Sequence, residues 1–322
     1  MTTPAYRIEI DGKDFTEQWG NRLISLSITD EAGIKSDTLE VEFDGRDKIR
    51  APRVGAKVKV WLGYAPAPVL RGQFVIDEWT LSGPLRTLAI SARAAELTST
   101  IRAAKTRAFD GKTLGAIVNQ IAADHGLTAQ VDSELASIQI AHIDQSNESD
   151  LGFLSRLAKR NGGTFKLLDG SVFMAKKGGS NLPSGKAKTA IALTPDMVGT
   201  WSFTQGKRGE YKTVSASYMD HAKGKRVSVK AGSGEPKHRI RTLYGSRAEA
   251  EAAAKAELGA YTRGQGTFEV SGPGIPTMFA EATVEASGFD QDVDGGFLVK
   301  SVRHTLEGGG YSTDISMEAK AT

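Results

Sequence analysis

The chain has 322 residues, 39% of them apolar and 25% charged, with a net charge of +3 and no cysteine. Length favours two domains over one, the near-neutral charge gives no argument for nucleic-acid binding, and the lack of cysteine excludes disulfides and thiolate metal sites. The start, MTTPAYRIEIDG, has no basic segment leading into an apolar run, so no signal peptide is expected. No stretch approaches the ~20 apolar residues that span a bilayer, so no membrane anchor is expected either.

The first ~95 residues alternate with period two. Tyr6, Ile8 and Ile10, then Ile24, Leu26 and Ile28, then Leu39, Val41 and Phe43, then Val58, Val60 and Leu62 are each separated by single, mostly polar residues. Phe74–Leu81 and Leu85–Ala92 follow around Ser82-Gly83-Pro84. Alternation of this kind gives antiparallel strands with one dry and one wet face, as in a sandwich or barrel.

The period then lengthens. Leu114, Ile117, Val118 and Ile121 have helical spacing, with Asp110 or Thr113 able to cap the start and Gly126 the end. SNESDLGFLSRLAKRNGG predicts a second helix, with Leu151, Leu154 and Leu157 on one face. Thr164–Leu168 and Ser171–Ala175 flank Asp169-Gly170 as a hairpin. Residues 99–178 therefore read as a small α+β insert, and 179–188 as a linker.

Strand signals resume at Trp201 and Phe203, Val214–Tyr218, and Val227 with Val229. An Ala-rich helix is predicted over 246–259, opened by a capping box of Ser246 and Glu249 and closed by Gly259. Phe268–Val270, Ala282–Ala286, Phe297–Thr305 and Ser312–Glu318 read as further strands.

Two stretches resemble each other. AKVKVWLGY, a loop, Gly72-Gln73-Phe74 and a hairpin are matched by AEATVEASGF, a loop, Gly295-Gly296-Phe297 and a hairpin. Laying Gly63 on Gly288 puts the inward Val58 and Val60 on Thr283 and Glu285. A one-residue slip exchanges the faces of a strand, so a repeat here requires a bulge or a shifted register. The alternative is that two antiparallel hairpins look alike at this level.

No motif carries a catalytic or metal site. FDGKT lacks the earlier glycine and the leading strand of a phosphate loop, and reads as a turn feeding a helix. DQDVDGG begins like a calcium loop, but Ser301 stands where the bidentate Glu belongs. His125, His142, His221, His238 and His304 are scattered and read as surface or loop residues. No catalytic residue, metal or cofactor is expected. Residues 206–247 hold an excess of basic side chains, including Lys223, Lys225, Arg226, Lys237, Arg239 and Arg241. Without interleaved aromatics this reads as a solvated loop or a docking surface for an acidic protein rather than a nucleic-acid site.

The segment VDGGFLVKSVRHTLEGGGYSTDISMEA resembles the C-terminal signature of the phage late control gene D protein family, the tail hub of contractile-tailed phages and tail-derived bacteriocins. The matching features are Gly296-Phe297, His304, Gly309-Gly310-Tyr311 and Thr313. YKTVSASYMDHAKGKRVSVKAG and TLYGSRAEAEAAAKAELGAYTRGQGTFEVSGPGIP are similar to further parts of that family. SNESDLGFLSRLAKRNGGTF is similar to a segment shared with the valine-glycine repeat proteins of type VI secretion. The resemblance runs from about Ser146 to the end and more loosely over the N-terminal strands.

It implies a mainly β fold: two tail-tube-like antiparallel β-barrel or sandwich domains, at 1–98 and 189–322, plus the small α+β insert. It implies a structural, non-enzymatic homotrimer in the baseplate of a virion or tail-like particle, assembled in the host bacterial cytoplasm. Two tube-like units per subunit would adapt a three-fold spike below to a six-fold tail tube above. Other baseplate proteins are implied partners, the tape-measure protein is a further candidate, and DNA enters only as passing cargo. The hairpins would supply tube walls through Phe74, Ile76, Leu88 and Ile90 and through Phe297, Val299, Ile315 and Met317. A second reading has the 99–178 insert bind or cleave peptidoglycan.

Overall fold

The computed structural model describes residues 3–33, 37–46, 50–94, 99–168, 170–179, 189–206, 211–220, 223–263 and 266–320. The expected linker lies outside the described residues except for Gly179, as do Asp169, His221, Lys207 and Arg208. The fold is mainly β, with a thirteen-stranded sheet and three smaller ones among the described residues.

The large sheet contains the same six-strand arrangement twice. In the first, the neighbours run Leu23–Glu31, Thr38–Asp44, Thr87–Ala94, Val69–Ser82, Lys57–Tyr64, Pro4–Ile10. In the second they run Thr200–Gln205, Gly266–Pro273, Gly310–Ala319, Gly295–Glu307, Thr283–Ala286, Ile191–Leu193. Numbered along the chain, each reads 2-3-6-5-4-1. The thirteenth strand, Lys13–Asp14, is an addition to the first unit. The units differ in their outermost pair: Pro4–Ile10 runs antiparallel to its neighbour, and Ile191–Leu193 runs parallel.

The register resolves the mismatch seen in the sequence. Val58 lies opposite Phe74, and Val284 lies opposite Phe297. The inward Val58 and Val60 therefore match the buried Val284 and Ala286, not Thr283 and Glu285. Both hairpins carry a bulge at the same place, between Ile76 and Glu78 and between Val299 and Ser301. Gly72 and Gly295 open the two hairpins with φ of +152° and +146°, a backbone that side chains with a Cβ rarely adopt. The first hairpin departs from its expected bounds, because Leu85 sits in the turn and not in a strand.

Each unit has its own core. Leu26, Ile28, Phe43, Val60, Phe74 and Leu88 fill the first, and Phe268, Val284, Phe297, Val299, Val302 and Met317 fill the second. The units are joined by one strand pair, in which Ser301–Glu307 runs antiparallel to Ser25–Glu31, with His304 opposite Ile28.

Two further bodies are inserted in the chain, one between the units and one within the second unit, between Thr200–Gln205 and Gly266–Pro273. In the first, Ala104–Thr113 pairs with Gln139–Ser149, and Ser171–Lys176 lies between Gly163–Leu168 and Thr128–Val131. The helices Leu114–Asp124 and Asp150–Arg160 pack on them through Ile117, Ile121, Phe153, Leu154 and Leu157. Thr113 and Ser149 cap these helices, each accepting from a backbone N–H in the first turn. Both 110–113 and 146–149 are strand, so FDGKT is not a turn, and the second helix starts four residues later than SNES implied. Asp150 is fully buried, and Lys105, Arg107, Gln145 and His125 Nε2 all donate to its carboxylate. Burial opposes its ionisation, but these bonds and the Arg107 charge prevail and hold the carboxyl down at about 2. His125 is therefore an interior residue, contrary to the surface position expected.

In the second body, Thr213–Asp220 is flanked by Lys225–Gly232 and Lys237–Tyr244. The helix Arg247–Arg263 lies on this sheet through Ala250, Ala253 and Ala254. Gly259 does not end the helix, which runs four residues past it. Ser246 caps the helix by accepting from the Glu249 N–H. The Glu249 carboxylate does not return the bond; it is buried and accepts from Arg160 at 2.9 Å. That contact ties the second body to the first.

Lys166 ties the first body to the sheet. Its ammonium donates to Asp30 at 2.6 Å and to Asp37 at 3.1 Å, and Asp30 also accepts from the Ala280 N–H at 2.8 Å. Three parts of the chain thus meet on one carboxylate. Burial, with the adjacent Asp30 charge, pushes the Asp37 carboxyl up to about 6 against the pull of Lys166. Lys166→Met should leave two partly buried carboxylates without their cation and cost about 2–4 kcal/mol. The measurement is the thermal unfolding midpoint, with restoration of part of the loss expected when Asp37→Asn is added.

Candidate functional site: a polar junction and two open strand edges

Three residues of the C-terminal signature, His304, Tyr311 and Thr313, converge at the junction between the two strand units. His304 and Thr313 are cross-strand partners in the second hairpin, and Tyr311 follows the turn that closes it. Tyr311 places its ring in the first unit's core, 5.3 Å from the ring of Tyr64. Its hydroxyl donates to His304 Nδ1 at 2.8 Å and accepts from Arg71 at 3.1 Å. His304 Nε2 lies 3.2 Å from the Met278 carbonyl. A carbonyl only accepts, so Nε2 carries the proton and Nδ1 accepts.

Arg71 also donates to the Pro276 carbonyl at 2.8 Å, and Tyr64 donates to the Gly274 carbonyl at 3.1 Å. Thr313 accepts from the Ile275 N–H at 2.9 Å. The segment 274–278 is thus held by side chains from both units. Gly274 is required there, because a Cβ would lie 2.0 Å from Tyr311 Cδ1. His304 is buried, and burial first, then the Arg71 charge, lower its pKa to about 3. It is a neutral interior hydrogen-bonding group, not the surface residue the scattered histidines suggested.

The sequence offered no route to Arg71 or Tyr64. Each lies more than 200 residues from its partners here. The signal that existed was the Gly-Pro-Gly run at 272–274, legible as a turn but not as a socket for an aromatic ring.

The eight hairpin residues singled out in the sequence are all buried. Phe74 and Phe297, Ile76 and Val299, and Ile90 and Ile315 occupy equivalent places, the last two opposite Val41 and Val270. Leu88 corresponds to Thr313 and Met317 to Ala92. These residues line the cores of the units and do not form an exposed surface.

The basic residues are not on a long loop. Lys225 and Arg226 open one strand of the three-stranded sheet, Lys237, Arg239 and Arg241 lie on another, and Lys223 is in a turn. Arg226, Lys230 and Arg239 share the face opposite the Ala-rich helix. Lys223 and Lys237 are paired with Asp220 and Glu235. DQDVDGG closes on itself: Asp294 accepts from the Gly288 and Phe289 N–H groups, and Asp290 from that of Asp292. Among the described residues no cluster of His, Asp or Glu is arranged to hold a metal.

The strand edges left without partners among the described residues include two of the large sheet that bear on its repeat. Thr200–Gln205 ends the large sheet. In Val69–Ser82, the ladder to Lys57–Tyr64 stops at Val75, so 77–82 pair on one side alone.

Residues 46–310 match the family described as phage tail baseplate hub (GPD). A probable baseplate hub protein of Escherichia phage 186 is 31% identical, across 98% of this chain and 93% of the relative. Among solved structures, a tail protein from Neisseria meningitidis MC58 shares the fold with a TM-score of 0.74 at 15% identity, covering 98% of this chain and 96% of that one. The E. coli c3393 protein, a component of the type VI secretion system, does so with a TM-score of 0.59 at 13% identity, over 94% and 74%.

Two outcomes test the junction. Tyr311→Phe removes a hydroxyl bonded on both sides and should cost about 1–2 kcal/mol, while Gly274→Ala, which drives a methyl into the ring, should cost about 1–3 kcal/mol; denaturant midpoints measure both. His304 stays neutral when folded down to about 3 but protonates near 6.5 when unfolded. The unfolded chain then binds more protons in that window, so stability falls as pH drops through it, by at most about 1.4 kcal/mol per pH unit. His304→Gln should be less stable at neutral pH and show a shallower loss on acidification, read from unfolding midpoints of both proteins across the window.

Proposed function

This chain belongs to the phage tail baseplate hub family, and from that premise we propose that it is a homotrimeric hub joining a three-fold spike to a six-fold tail tube. It is a structural protein of a phage-type tail baseplate. In the proposed assembly the strand units within 1–98 and 189–322 are the two tube-like domains of each subunit, so three subunits present six. The observation that carries this reading is the identical 2-3-6-5-4-1 order of six strands in both units. A subunit that fills two of six equivalent positions must offer the same surface twice, and a repeated strand order is how a single chain does so.

The hairpins of the two units supply the tube walls. Their buried residues, Phe74 and Ile76 with Phe297 and Val299, hold the wall strands in register instead of facing the lumen. The basic sheet face opposite the helix, with Arg226, Lys230, Lys237 and Arg239, is the docking surface for acidic baseplate proteins, since surface charge of one sign steers partners of the other. The body at 99–178 supports the rim. Its polar groups are engaged internally, as at Asp150, or with the sheet, as at Lys166.

Light scattering on a sizing column tests the stoichiometry. The purified chain, alone or mixed with the spike protein produced from the same tail gene cluster, should elute as three copies or as three copies per spike trimer. A monomer that ignores the spike would overturn the trimeric reading.

A further inference from the structure

The repeat makes a specific demand on the contact between subunits. Within one chain, the first unit's second strand pairs with the distal half of the second unit's hairpin, Ser25–Glu31 against Ser301–Glu307. The equivalents of those two segments are the two open edges. Leu26 and Ile28 lie opposite Val41 and Leu39, while Trp201 and Phe203 lie opposite Val270 and Phe268. Since Val41 matches Val270, Trp201 corresponds to Leu26 and Phe203 to Ile28. On the other side, the shared bulge and the shared glycine align Trp79 with Val302 and Leu81 with His304.

The burial of these residues divides by unit. Where the junction is made inside the chain, Leu26, Ile28, Val302 and His304 are 0–1% exposed. At the equivalent places Trp79 is 40%, Leu81 41% and Trp201 43% exposed. The same positions are thus apolar or interior in both units, but all are covered in one, and all but the half-buried Phe203 are open in the other. A long edge with unpaired backbone groups and apolar side chains invites strand addition.

We infer that a second copy of this chain closes these edges by antiparallel strand pairing, residues 78–82 of one copy against 202–206 of the next. The register follows from the internal junction: His304 opposite Ile28 becomes Leu81 opposite Phe203, Arg303 opposite Thr29 becomes Thr80 opposite Thr204, and Thr305 opposite Ser27 becomes Ser82 opposite Ser202. The contact is head to tail, because each copy gives a different edge on its two sides. Such contacts give a ring where the rotation closes and a filament where it does not; the trimeric reading requires closure, and a ring alternating the internal junction with this one keeps a continuous strand order throughout. The inference rests on the trimeric reading and fixes which atoms make its interface.

The chain has no cysteine, so cysteine pairs report the register without background. Thr80 and Thr204 are exposed, and T80C/T204C should fold as the parent does, checked by circular dichroism. Directly opposed residues sit within disulfide reach, whereas a two-residue slip exceeds it. Under mild oxidation T80C/T204C, with spike protein present if the mass measurement requires it, should give covalent species that end at three copies on a non-reducing gel. S82C/T204C, slipped by two residues, should give none. A particle that sizes as a trimer without the T80C/T204C cross-link, or with equal cross-linking of the slipped pair, overturns this interface and leaves the trimer standing. A protein that stays monomeric with and without spike overturns both.

Discussion

The structure depends on one strand pair. Ser25–Glu31 against Ser301–Glu307 converts two separate six-strand arrangements into a single sheet. Everything that distinguishes this chain from two linked modules follows from that contact. It buries Ile28 and His304 opposite each other, and it brings Arg71 and Tyr64 within reach of 274–278 and Tyr311. A backbone ladder sets spacing and direction but is permissive of slip. The side-chain cluster at its end removes that freedom. Tyr311 can insert into the first unit only where Gly274 leaves space, and its hydroxyl meets His304 and Arg71 in one register.

The neutral state of His304 is part of the same constraint. A charged imidazole beside the Arg71 guanidinium would be repelled and desolvated together, so the cluster works as a chain of neutral bonds ending on one cation. That accounts for a histidine inside a family signature without any need for chemistry. The part of the signature made of His304, Tyr311 and Thr313 describes a joint, and these are side chains that a joint of this geometry uses.

The inserted bodies are tied to one another and to the sheet by charge. Lys166 reaches Asp30 and Asp37, and Arg160 reaches Glu249. Thr164 adds a bond to Glu281, Lys177 and Arg263 add contacts to Glu318, and the Ala141 N–H is a second donor to Glu249, between bodies with cores of their own. Such links are specific in direction and modest in strength. They hold the bodies to a sheet whose own continuity is set by its backbone ladders.

The periodicity of the sequence determined most of the strands of each unit, because alternation records the two faces of a strand directly; Phe74, Ile76, Leu88, Ile90, Phe297, Val299, Ile315 and Met317 were legible as hairpin residues, and their burial was decided by the tertiary structure. The presence of a repeat was legible too, through the glycine and aromatic residue that open each hairpin. Its register was not, since a one-residue shift between Gly63 and Gly288 inverts the faces, and only cross-strand partners fix it. The strands Ala104–Thr113 and Lys237–Tyr244 were hidden by polar, strongly charged sequence whose pairing is set by neighbours instead of by pattern. Tertiary structure alone decided the joint of Arg71, Tyr64, Gly274, His304 and Tyr311. Its residues lie as much as 240 positions apart, and no local pattern can record a contact that exists only once two distant strands have paired.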